Sequence, residues 1–191
     1  ILSILIDQTL GEIAAMAVID EVKLVSQPQS DAGMTLAELP EALRALGLDL
    51  NRDPARVLNS YTAYRMEPSE ERLKQVRGDV TVGSTCCPVL IQQYLQGMTQ
   101  AVDDLHKDGI AAGFFYYPID GFQGEDRAKA ILDFRDELEA KINEKAGTDA
   151  AAWLGGASGI NCGYLDFIAW DLKAVLDAAV AVFETSPVAW A

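Results

Sequence analysis

The sequence predicts an α+β fold: a mainly helical N-terminal part, residues 1–108, packed on a ferredoxin-like β-α-β-β-α-β antiparallel sheet formed by residues 109–191. Three observations predict it. An aromatic run, "IAAGFFYYPI", has the length and composition of a buried strand. A helix-period segment of about two dozen residues follows it. After that comes "AAWLGGASGINCGYLDFIAW", two apolar runs punctuated by glycine, and then a second amphipathic helix. Both helices are expected on one face of the sheet, and the whole could form one continuous unit.

Along the chain, residues 9–25 carry Ile13, Ala17 and Val18 at a tolerable helical period. "SQPQSDAG" is a loop. In "TLAELPEALRALG", Thr35 as N-cap with Glu38 three residues on predicts a capping box, and Gly47 a stop, although Pro40 fits badly inside that helix. Residues 54–66 suit helix or strand. "EPSEERLKQVRGD" predicts a short helix from Ser69 to Gly78, and "VTVG" a short strand.

From Pro88 onward, Leu90, Tyr94, Met98, Ala101 and Leu105 recur at helical spacing down to "HKDG", where cations and glycine suit a C-terminus. After the "DGFQG" turn, Ile131, Phe134, Leu138 and Ile142 stripe a helix over 125–146, with Glu125 and Asp126 in its first turn. "GGASG" is expected to be the reversal between two strands. Asp171 is a good N-cap for a helix carrying Leu172, Val175, Leu176, Ala179 and Phe183. "SPVAWA" reads as a further strand only just begun, and the opening at Ile1 suggests a missing upstream piece.

At 191 residues the chain can bury a core without metal or disulfide. Half of it is hydrophobic and 23% charged, which is too apolar for disorder. The net charge of -14 is split evenly between residues 1–108 and 109–191. A uniformly acidic field repels phosphate backbones and anionic bilayers, so neither nucleic acid nor membrane is an expected partner. Three cysteines without framework spacing suit a reducing, cytoplasmic setting.

Several constellations could carry chemistry. In "STCCP", Pro88 marks a helix start and places Cys87 at the N-cap, where unpaired N–H groups and the dipole favour a thiolate; Cys86 adjoins it. Against this, free cysteine packs readily as a small hydrophobe, and no CxxC spacing is present. His106, the only histidine, sits where a C-capping cation belongs. "LGGASGINCG" fails both the nucleophile elbow and the dinucleotide fingerprint. Asp120, Glu125 and Asp126 do not match a calcium loop. Neither a metal site nor a cofactor is expected.

Asp166, in "GYLDFIAW", must be paired, hydrogen-bonded or neutral if buried. The reading preferred from the sequence puts Tyr164, Asp166, Ile168 and Trp170 on a partly solvated sheet face, with Tyr164, Asp166 and Trp170 offered to a partner; alternatively the preceding chain covers that face. Residues 52–77 are locally basic, and Arg56 with Arg65 could build a small anion pocket. Taken together, the sequence predicts a non-catalytic acidic module that binds a basic protein, in the manner of an immunity-type inhibitor or an assembly subunit. The alternative is a thiol-dependent enzyme or redox protein using Cys87 or Cys86, with Asp166 or His106 as helper.

Overall fold

The computed structural model describes residues 2–19, 22–26, 33–186 and 188. The chain divides into two units, Ile1–Ser60 and Tyr61–Ala191, where the sequence suggested a division near residue 108.

In the first unit the helix expected over 9–25 is two helices, α1 (Leu2–Leu10) and α2 (Glu12–Val18), parted at Gly11. Residues 22–26 are not helical, and most of the loop "SQPQSDAG" lies outside the described residues. Helix α3 (Leu39–Ala45) starts later than the capping box implied, which puts Pro40 in its first turn, where proline is tolerated. Only half of that box forms: Glu38 accepts from the Thr35 N–H and hydroxyl at 2.7 and 2.8 Å. Asp53 caps the short α4 (Pro54–Leu58) through the Ala55 N–H. Helix α1 packs on α2 and α3, and α2 on α4.

The second unit is built on a five-stranded antiparallel sheet. Its strands are β1 (Thr62–Arg65), β2 (Val80–Thr85), β3 (Ala111–Pro118), β4 (Ala151–Gly159) and β5 (Cys162–Ala169), in the spatial order β1-β2-β4-β5-β3. The α+β class holds. The strand order, however, is not the simple ferredoxin one, because β1 and β2 extend the sheet with residues expected in a helical N-terminal part. The strand expected at "SPVAWA" falls mainly on residues outside the described ones.

The helix expected from Pro88 onward breaks into α5 (Pro88–Leu95) and α6 (Gln100–Lys107). Gln93 secures the break, accepting from the Ala101 N–H at 2.7 Å through its side chain and from the Met98 N–H through its carbonyl. Helices α7 (Arg127–Ala146) and α8 (Leu172–Phe183) form as the periodicity predicts, and Asp171 caps α8 through the Ala174 N–H. Their buried stripes close with Tyr117, Leu165 and Phe167 over one face of the sheet.

The other face is covered at its centre, while Tyr116 on it stays 43% exposed. It carries Tyr64, Phe114, Tyr164 and Asp166, and Tyr164 and Asp166 are each only 3% exposed. The segment before β2 and helix α5 lie against it. The expectation of a partly wet face is therefore corrected for these two residues, and the alternative, cover by preceding chain, is what the structure has.

"GGASG" is not the reversal. It lies inside β4, and the hairpin turns at Ile160 and Asn161 instead. Gly155 follows a bulge at Leu154, has a φ of 113°, and sits so close to the Ser84 carbonyl that a Cβ would collide with it. Gly159 leaves the space that the Asp79 carboxylate fills. Gly155→Ala is expected to cost about 1–3 kcal/mol or more, because it adds backbone strain to a steric clash. A urea melt showing an unchanged midpoint would refute that account.

Candidate functional site

The polar centre of the second unit is built from the three residues just before β2, Arg77, Gly78 and Asp79. A short 3-10 turn (Arg72–Lys74) leads into them, and the Gly78 N–H closes back on the Gln75 carbonyl at 3.0 Å. Arg77 then takes a φ of 66°, the left-handed region that costs a side-chain-bearing residue about 1–3 kcal/mol. What holds it there is Asp166. Both terminal guanidinium nitrogens donate to its carboxylate, one of them at 2.7 Å, and Nη2 also donates to the Tyr64 hydroxyl at 3.1 Å. The guanidinium carbon lies 5.1 Å from the Phe114 ring centre and 5.2 Å from that of Tyr164.

Asp79 works two residues further on. Its Oδ2 accepts the N–H groups of Asn161 and Cys162 at 2.9 and 3.0 Å, and its Oδ1 accepts the Tyr164 hydroxyl at 2.5 Å. Its own carbonyl accepts from the Ile160 N–H at 3.0 Å. Asp79 thus caps the β4–β5 hairpin from a distant part of the chain. Burial, and then the bond to Asp79, push the Tyr164 phenol above its ordinary value, so it remains a proton donor.

Both carboxylates are consequently committed to architecture. Asp166 is paired, one of the outcomes its sequence context allowed, and its partner is an arginine that sequence reasoning missed. The signal for it was present: a carboxylate in an apolar strand calls for a cation, other donors or a proton, and residues 52–77 are rich in arginine.

The thiols are brought to the end of β2. The Cys86 N–H donates to the Leu154 carbonyl at 2.9 Å, and its Sγ lies 3.9 Å from the Trp153 carbonyl oxygen. Burial pushes the Cys86 thiol up, and the neighbouring Cys87 and Glu139 add to the rise. Cys87 stands at the N-cap of α5 as expected, but its side chain makes no capping bond; its N–H donates to the Thr85 hydroxyl at 3.0 Å. Both cysteines are half-buried.

The remaining candidates lie on different elements. His106 is exposed in the last turn of α6. Trp170, just beyond β5, is 53% exposed. Arg56 is exposed on α4 in the first unit and Arg65 is exposed on β1 in the second. Among the described residues, no three His, Cys, Asp or Glu side chains gather as a metal site would require. Comparison with family models, with curated proteins and with solved structures finds no match for this chain.

Two outcomes test this account. Asp166→Ala strands a buried guanidinium and should cost about 3–5 kcal/mol, whereas Arg77→Met combined with Asp166→Leu should cost much less. Equal losses in denaturant melts would contradict the pairing. For the thiols, a raised Cys86 means less thiolate at a given pH. Peptide-resolved iodoacetamide labelling near about pH 8 should therefore modify Cys86 more slowly than a free thiol, and faster labelling would refute the assignment.

Proposed function

We propose that the chain is a non-catalytic acidic module whose partner is a basic protein, acting as an immunity-type inhibitor or as an assembly subunit. One observation carries the reading: the lysines seen in ion pairs are neutralised locally. Lys107, Lys129, Lys141 and Lys173 each pair with a carboxylate one helical turn away, on Asp104, Asp133, Glu137 and Asp177. Such exposed pairs add little stability. They neutralise four exposed lysines where they stand, and the chain as a whole keeps a net charge of -14, an anionic field overall. A field of that kind steers cationic surfaces and speeds their association.

Of the aromatic and acidic residues expected to meet the partner, Tyr164 and Asp166 are too deeply buried to touch one, so they serve from beneath. Trp170 remains the exposed aromatic anchor. Nucleic acid and anionic bilayers are disfavoured by the same field. Among the described residues no helix is long and apolar enough to cross a membrane, and a cytoplasmic setting accompanies the proposal. What supports the second reading, a thiol-dependent enzyme or redox protein, is the place of Cys87 at the start of α5.

The test is capture from a cell extract by the immobilised chain at low and high ionic strength. The expected result is a stoichiometric basic protein released by salt and weakened by Trp170→Ala. Retention of no salt-sensitive basic protein would end the proposal.

A further inference from the structure

We infer that the space between α5, α6 and the sheet is a binding site for a small neutral aromatic molecule carrying one hydrogen-bond acceptor. The cavity measures about 260 Å³. Its walls are Leu90, Ile91, Tyr94, Val102 and Phe114, and Arg77 and Asp166 stand in its lining. Apolar walls with a few convergent polar groups are the usual make-up of a small-molecule site.

Size, shape and charge narrow the ligand. An engineered apolar cavity of about 150 Å³ takes up benzene, so this one admits a single ring with a short substituent. Tyr94 and Phe114 meet edge to face, 6.2 Å apart at 80°, and offer a flat guest the aromatic contacts it favours. Arg77 and Asp166 already neutralise one another. A charged ligand would lose its hydration without gaining a counter-ion, which selects a neutral one.

The polar handle comes from arithmetic on the guanidinium. Of the five N–H groups of Arg77, three are taken by Asp166 and Tyr64, which leaves two for a ligand in the cavity that Arg77 lines. One ligand carbonyl can satisfy one of them. The walls are also braced beforehand. The Tyr94 hydroxyl donates to the Val76 carbonyl at 3.0 Å, and Gln93 fixes the α5–α6 turn, so binding demands little ordering of the chain.

The experiment titrates the whole chain with acetophenone, ethylbenzene and benzoate, following amide shifts by NMR. Acetophenone should saturate and move the Ala112 and Phe114 amides. Ethylbenzene, of the same shape but without an acceptor, should bind about fivefold more weakly, the worth of one hydrogen bond. Benzoate should be weaker than acetophenone. Val102→Trp, which fills the cavity, should abolish saturation while circular dichroism stays unchanged; if that variant unfolds, Ala112→Phe takes its place. Absence of saturable binding, equal affinity for all three probes, or binding that survives the filled cavity would overturn the site.

Discussion

The second unit depends on one constraint: Asp166 sits in a central strand, and a carboxylate buried there has to find donors. Arg77 meets it, and doing so fixes much else. The arginine can reach only if its backbone enters the left-handed region, and only if the segment before β2 lies down on the sheet. That segment then covers Tyr164, positions Asp79 over the turn between β4 and β5, and leaves Tyr94 of α5 a carbonyl to hold. A buried ion pair is seldom a large net gain over hydrocarbon of the same shape. What the pair supplies here is direction: two parallel bonds to Asp166 fix where the guanidinium, and with it the segment before β2, lies on the sheet.

The same commitment decides what the buried polar atoms are free to do. Asp166 and Asp79 have their oxygens filled by donors of this chain, and Tyr164 keeps its proton against a carboxylate. Cys86 lies among groups that disfavour its anion. Surface chemistry differs, being dominated by carboxylates in excess of the cations, and it is there that the long-range behaviour of the protein is set.

Much of the fold was legible because it rests on period. The stripe Ile131, Phe134, Leu138 and Ile142 and the cap Asp171 announce helices without help from the rest of the chain, and "GFFYYP" announces a strand. What was illegible rests on contacts far apart in sequence. Glycines in "GGASG" look like a turn because glycine usually marks one. In fact Gly155 is demanded by the carbonyl of Ser84 and Gly159 by the carboxylate of Asp79, both many residues away. The break between α5 and α6 turns on Gly97, whose φ of 68° ends α5, and on the Gln93 side chain that then holds the start of α6, which no periodicity flags. Strand β2 was legible as "VTVG" and β1 lay in a stretch that suited helix or strand; what escaped was that both join the same sheet, because β1 is four residues with only Tyr64 turned toward the core. Asp166 was correctly singled out, whereas Arg77 was hidden in a run of surface-like charges; only the demand of Asp166 for a partner pointed toward it.

The way the five strands are joined has a consequence for how the sheet is assembled. It consists of neighbouring strand pairs closed over short or moderate stretches, except at the seam where β2 lies alongside β4, which must close a loop of roughly seventy residues. Entropy of closure grows only slowly with length, but a seam of this kind cannot form until its distant halves have met, and it delays the end of folding. The ion pair and the aspartate cap both bridge that seam. They therefore act as its clasp, and a chain that has lost them would keep its local pairs of strands while the sheet parts down the middle.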